Sequence, residues 1–268
     1  MKKTLWILGI ALLAAFVIWV FWANTALQTN TVTLKEAFLP EAFDGYRIAH
    51  VSDVHDADMT DELIEMLKAA EPNIICITGD LMDCRSSDIG VAADFAAKAV
   101  KIAPCYYVTG NHEVRLPTKL YKELLHSLEA CGVTVLEEEE VILSKDGAEI
   151  ALVGHAWGDT NKVGSISDFP GYRILLSHLP EAFDDYVAAG YDLVLTGHAH
   201  GGQFRLPFVG GLYAPSQGIF PKYDAGLHSQ GRTDMIISRG IGNSVIPLRF
   251  NNRPELIVVV LESLTAAS

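Results

Sequence analysis

Apolar and polar positions along this chain fall into three registers. The first is unbroken: Leu5 to Ala23 is a run of 19 residues without a charge, preceded by Met1-Lys2-Lys3. As a helix it reaches roughly 28 Å, enough to cross a hydrocarbon core. Trp6, Trp19 and Trp22 lie toward its two ends, where interfacial anchors belong. A cleaved secretory signal is the rival reading, but its apolar region spans only about 7–15 residues. No Ala-x-Ala site directly follows this run.

The second register begins at Tyr46. Arg47–Val51, Ile74–Thr78 and Cys105–Thr109 are short apolar runs that read as buried strands. Between and after them, Thr60–Ala70, Val91–Ile102 and Thr118–Ala130 carry a helical period, with Thr60 placed to cap the first. Such alternation implies parallel strands with helices packed on the sheet. In the third register, after Gly132, Val133–Leu136, Val141–Leu143 and Glu149–Val153 follow one another closely, with Lys145-Asp146-Gly147 as a hairpin turn. Tyr172–Leu176, Leu193–Leu195, Met235–Ile237 and Leu256–Leu261 complete the set, and Glu137–Glu140 reads as a solvated turn. The pattern predicts the α/β class: two β-rich halves in a layered α/β sandwich behind one N-terminal transmembrane helix. The expected organisation is an anchor over 1–26, a linker with a first strand at Thr31–Leu34 over 27–45, and one domain over 46–268.

The strand ends carry the candidate chemistry. The first ends in Ser52-Asp53-Val54-His55, the second in Thr78-Gly79-Asp80, and the third in Thr109-Gly110-Asn111-His112-Glu113. Two later runs end in Ser177-His178 and in Thr196-Gly197-His198-Ala199-His200-Gly201-Gly202. Ligand sites of parallel sheets form outside the carboxyl ends of the strands, so the five clusters are placed to converge. A single His-x-His fits a polar loop and a single Asp fits a hydrogen-bonded turn, but neither explains five coincidences. The donors are Asp53, His55, Asp80, Asn111, His178, His198 and His200. Seven side chains exceed what one ion with open positions takes, and they suit two ions sharing one carboxylate. Mixed nitrogen and oxygen donors favour Mn, Fe, Zn or Co over calcium, and the lack of thiolates argues against a structural zinc site.

Composition changes this picture in two respects. The net charge of -13 argues against a nucleic-acid partner, whose phosphate backbone is met by basic surfaces. With both lysines N-terminal to the apolar run and no basic cluster just after it, the positive-inside rule places the body of the protein outside the cytoplasm. Cys76 and Cys105 read as core residues, while Cys84 and Cys131 are free to pair in an oxidising compartment.

Asp-x-His, Gly-Asp, Gly-Asn-His-Glu, a lone His and Gly-His-x-His, in this order, resemble the motifs of the calcineurin-like metallophosphoesterases. The likeness runs from about Arg47 to Leu261. Gly197–Pro207, Ser238–Ser244 and Arg253-Pro254-Glu255 resemble the membrane-linked bacterial branch of that family. The resemblance implies a two-sheet sandwich with one metal on Asp53, His55 and His200, another on Asn111, His178 and His198, and Asp80 between them. It implies a catalytic role for His112. Ala199 stands where the family often has Thr, and Asp56 where the branch often has Asn. The added carboxylate bears on substrate choice or metal affinity.

The expected activity is hydrolysis of a phosphodiester, pyrophosphate or phosphomonoester through a hydroxide bridging two divalent ions, with His112 protonating the leaving group and no covalent intermediate. Tethering at the bilayer points to a lipid or envelope phosphate as substrate. The alternative is a non-catalytic metal-binding scaffold that docks a membrane partner. Plainer roles are expected elsewhere: His50 in the core or supporting the site, His126 and His228 at the surface, and Arg205 and Arg239 either in ion pairs or on an anionic substrate. His155, Trp157 and Asp159 are placed to line the mouth, and Glu113 and Asp83 to orient ligands.

Overall fold

A computed structural model describes residues 2–158, 160–243 and 247–264. Asp159 and Ser244 lie outside them. The chain opens with α1 (Lys2–Thr25), whose apolar side chains are exposed apart from its last turns, where Ala23 is buried. It is long and apolar enough to cross a membrane. Then come β1 (Gln28–Glu36), β2 (Tyr46–Val51), α2 (Thr60–Ala70), β3 (Ile74–Thr78), α3 (Gly90–Ala99) and β4 (Cys105–Val108). A single helical turn, α4 (Asn111–Val114), precedes α5 (Thr118–Cys131) and β5 (Thr134–Val135). The second half holds β6 (Glu139–Lys145), β7 (Ala148–Gly154), β8 (Arg173–Leu176), α6 (Phe183–Ala189) and β9 (Leu193–Thr196). Two small hairpins follow, β10 (Arg205–Leu206) with β11 (Gly210–Gly211) and β12 (Tyr213–Ala214) with β13 (Gly218–Ile219), before β14 (Gly226–Gln230), β15 (Thr233–Ile237) and β16 (Glu255–Ser263).

These strands build two six-stranded sheets, ordered β1-β16-β2-β3-β4-β5 and β14-β15-β9-β8-β7-β6. The β2, β3 and β4 strands run parallel, as do β15, β9, β8 and β7, so both sheets send carboxyl ends to one edge. Alternation of side chains between the two faces of each strand explains the layering. Ile48, Ile74 and Cys76 face Leu152, Ile174 and Leu176 between the sheets. Their neighbours Ala49, Val51, Ile75 and Ile77 face the other way, onto Leu63, Leu67, Phe95, Leu124 and Leu128 of α2, α3 and α5. Phe183 and Tyr186 of α6 cover the outer face of the second sheet. The layered α/β sandwich expected from the pattern, with the two sheets that the resemblance implied, is the observed architecture.

Several local readings change. The strand expected at Thr31–Leu34 runs from Gln28 to Glu36 and forms the edge of the first sheet, paired parallel with β16. Thr60 is the first helical residue of α2, and no side chain caps that helix. Asp146 and Gly147 both adopt positive φ, 51° and 82°, as a two-residue hairpin turn requires. The Glu137–Glu140 run is exposed throughout and bends at Glu137 and Glu138, as expected, but Glu138 accepts from the His155 ring and the Ala156 N–H, and Glu139 and Glu140 already pair in β6. All four cysteines are unpaired.

At the end of the sandwich remote from the convergent strand ends, Glu36 is buried, and burial raises its carboxyl to about 7, with the Asp234 and Asp192 carboxylates adding to the shift. A folded-state value above the ordinary one means that folding weakens as pH rises from about 4.5 toward 7. Glu36→Gln is therefore expected to raise the melting temperature at pH 8 and to leave it near the parental value at pH 4.5. An equal change at both pH values would contradict the assignment.

Candidate metal centre

The five strand-end clusters meet where the two sheets face each other. Asp53 and His55 follow β2, Asp80 follows β3, Asn111 and His112 open α4 behind β4, His178 follows β8, and His198 and His200 follow β9. All are buried. His55 Nε2 lies 3.7 Å from Asp53 Oδ1 and 3.5 Å from Asp80 Oδ2, and His200 Nε2 lies 3.3 Å from Asp53 Oδ1. On the other side, His178 Nε2 stands 3.2 Å from Asp80 Oδ2. Two donor groups result, Asp53 with His55 and His200, and Asp80 with His178 and His198. A third, His55 with Asp83 and His112, adjoins them. Asn111 lines the same cavity, about 440 Å³, together with Asp80, His112, His198 and His200.

The backbone here is unusual. Asp53, His55, Asp80, His198 and His200 all have positive φ, between 47° and 66°, a conformation that costs a non-glycine residue about 1–3 kcal/mol. It turns each side chain off its strand and into the centre, and cross-links hold it there. The loops after β2 and β3 are joined by Asp53 N–H to Gly79 O and His55 N–H to Asp80 O, at 3.1 and 3.0 Å. Glu113 accepts the N–H groups of Asp80, Gly110 and Met82, and so ties β3's loop to α4. Gly197 comes so close to the β2 loop that a Cβ would overlap Ser52 Oγ and Asp53 Oδ2. Gly197→Ala should displace Asp53 and cost about 1–3 kcal/mol of overpacking. Metal titration and thermal melting check this; unchanged metal affinity would show that the contact yields without moving Asp53.

Electrostatics fit a cation site. Burial would raise Asp53 and Asp80, but His200, His178 and His55 around Asp53, and His178 and His55 around Asp80, outweigh it and hold both well below the ordinary range. Burial would depress His178, yet Asp80 and Asp53 drive it up to about 10. Buried His198 and His200 are held down to about 3 and stay neutral, the form that binds metal. Asn111 Oδ1, His178 Nε2, His55 Nδ1 and His200 Nδ1 are buried without a hydrogen bond. Two buried carboxylates, the neutral His198 and His200 and the orphaned Asn111 Oδ1 and His178 Nε2 make a donor set that suits metal ions.

Supporting side chains complete the pocket. His178 Nδ1 meets Thr78 O at 2.5 Å, and His50 Nε2 meets the Thr78 hydroxyl at 2.8 Å. His112 accepts the Cys84 N–H at Nδ1, at 3.0 Å. Burial lowers its pKa. Trp157 packs its ring on His198 and His178, at 4.9 and 5.8 Å between centroids, whereas His155 turns away to Glu138. Arg205 pairs with Asp224 at 3.1 Å and Arg239 lies 3.7 Å from Glu255, so both take the ion-pair role. Asp83 is bound by Arg85. His126 is exposed and His228 half-buried.

Some of the machinery has no local sequence signal. Ser216 Oγ reaches His198 Nε2 at 3.1 Å from the β12–β13 hairpin. Asn252 donates to His200 O, and the buried Arg249 guanidinium binds Arg239 O, Gly242 O and Asn243 Oδ1. That braces the Gly240–Gly242 stretch, whose Ile241 and Gly242 N–H groups bond back to Asp53 O.

Comparison with known proteins bears on this geometry. The family model of the calcineurin-like phosphoesterases matches residues 46–202. The chain is 31% identical over 253 residues to YkuE, an uncharacterised metallophosphoesterase of Bacillus subtilis, across 88% of this chain and 86% of that protein. It is 28% identical over 234 residues to the phosphodiesterase YaeI of Escherichia coli, across 84% of this chain and 85% of that one. In fold it is similar to the sulfate thiohydrolase SoxB of Thermus thermophilus, with a TM-score of 0.50 at 13% identity over 84% of this chain and 57% of that chain.

Proposed function

The chain belongs to the calcineurin-like phosphoesterases, and on that premise we propose that it is a two-metal hydrolase of phosphodiesters or pyrophosphates held at a membrane. One observation carries the reading. The Asp80 carboxylate stands within 3.5 Å of His55 and 3.2 Å of His178, one imidazole from each side of the centre, where a single group can serve two ions. Asp53, His55 and His200 would hold one ion, and Asn111, His178 and His198 the other. When bound, Mn, Fe, Zn or Co would activate the attacking water and neutralise charge on the phosphoryl oxygens.

The protein's own contribution is positioning and proton transfer. Because His112 Nδ1 accepts the Cys84 N–H, the resting neutral ring carries its proton on Nε2; a proton gained from solvent would make it the imidazolium that passes one to the leaving alkoxide and returns to the neutral ring. Trp157 limits rotation of His178 and His198 and keeps water off their rings. Ser216 fixes His198. The similarity to the phosphodiesterase YaeI supports a diester over a monoester. The apolar α1 supports a membrane-tethered body on the extracytoplasmic side, acting on a lipid or envelope phosphate. A topology reporter fused to the C-terminus tests that side, and cytoplasmic activity would reverse it.

The deciding experiment uses the full chain in detergent, stripped of metal and titrated with Mn. Two equivalents bound, Mn-dependent turnover, and faster cleavage of an activated phosphodiester than of a phosphomonoester are expected. Failure to take up metal would overturn the proposal. Two bound ions with turnover of neither ester would favour the scaffold reading.

A further inference from the structure

Between Leu206 and Phe220 the chain has no charged residue, although its net charge is -13. This segment makes the two hairpins β10–β11 and β12–β13, and it exposes its apolar side chains: Phe208 at 108%, Ile219 at 73%, Phe220 at 65% and Val209 at 55%. Single exposed apolar residues are ordinary, but a cluster of this size on one segment marks an interaction surface.

Its position identifies what covers it. Phe250 bridges to Phe204, its carbonyl accepts the Arg205 N–H at 2.9 Å, and its ring meets Trp19 of α1 at 5.2 Å. Asn24 bonds Arg249 in both directions through its side chain, and Arg253 stacks 4.6 Å over Trp22 while donating to Ala26 O and Leu27 O. The last turns of the apolar helix are therefore clamped to the base of the first hairpin, and no loose tether separates them. Wherever α1 enters a bilayer, the hairpins stand beside the entry point. The other side of the same segment walls the metal cavity through Tyr213, Pro215 and Ser216.

We propose that the Leu206–Phe220 hairpins lie in the headgroup layer of the bilayer that α1 crosses, so that the metal cavity opens at the lipid surface. Tryptophans at the helix end and uncharged apolar tips suit that layer, and the continuity with α1 fixes the hairpins at its depth. The consequence for catalysis, which rests on the phosphoesterase reading above, is that the substrate is an amphipathic phosphoester whose acyl part stays in the membrane while its phosphate reaches the cavity.

The test places an environment-sensitive fluorescent amino acid at position 208 by codon suppression, and separately at position 146 on the β6–β7 turn at the opposite end of the sandwich. The full chain is reconstituted at one copy per nanodisc of phosphatidylethanolamine and phosphatidylglycerol. Blue-shifted emission at 208 and iodide quenching about tenfold weaker than at 146 are expected from transfer of an aromatic side chain out of water. Equal quenching overturns the proposal, as does shielding seen only when several copies share a vesicle, which assigns the surface to a second copy. Activity is read separately. Phe208→Ser/Phe220→Ser should retain turnover of a small water-soluble phosphodiester and lose it several-fold on a phosphodiester lipid in the disc. Equal turnover of the lipid by variant and parent overturns the link from surface to substrate. If the parent cleaves neither compound, the phosphoesterase reading fails while the fluorescence still decides the membrane contact.

Discussion

Asp80→Ala is expected to lower turnover on the order of 10³-fold, the loss typical of removing a principal electrostatic element from a site, and to reduce bound metal below two equivalents. The reason is geometric. Asp80 Oδ2 faces His55 and His178, while Oδ1 accepts the His112 N–H at 2.8 Å, so one carboxylate both joins the two donor groups and holds α4. Because alanine removes both functions, Asp80→Asn separates them. Asparagine keeps an acceptor for the His112 N–H and loses the charge. Metal analysis and kinetics should show Asn nearly as impaired as Ala if the charge between the ions is the main contribution. If Asp80→Asn retained two ions and full turnover, the shared position would be wrong.

His112→Ala is expected to cost about 10²–10⁴-fold in turnover, the usual range for a positioned general acid, with metal content unchanged. The loss should depend on the leaving group, being severe for an alkyl phosphoester and small for a nitrophenyl ester, whose leaving group departs without a proton. The Cys84 N–H fixes the tautomer that makes the ring a donor. His112→Gln checks folding, since it conserves polarity but transfers no proton. Equal losses on both esters would move His112 from proton donation to binding.

Much of the fold was legible because the signals are local. Continuous apolar runs mark β2, β3 and β8 within a few residues, and the polar motifs follow them directly in sequence. Parallel strands then carry Asp53, Asp80, His178 and His200 to one edge with no further information. The supports were not legible, since each depends on partners far apart in the chain. Asn24 and Arg249, 225 positions apart, join α1 to the loops around the centre. Ser216 reaches His198 from a hairpin with no strand-like period of its own. His155 and Trp157 stood equally near the mouth by sequence, and only the turn after β7 decided that Trp157 lines it and His155 binds Glu138.

By itself the sequence determined the α/β alternation, the apolar N-terminal helix and the set of donor types at five strand ends, because hydrophobic periodicity and residue chemistry act over a few residues. Tertiary structure alone decided that β1 closes the first sheet, that five donor residues take the left-handed backbone, and that the uncharged hairpins stand beside the helix. Those outcomes depend on which distant backbone groups satisfy one another once both sheets are packed, and no local pattern contains that choice.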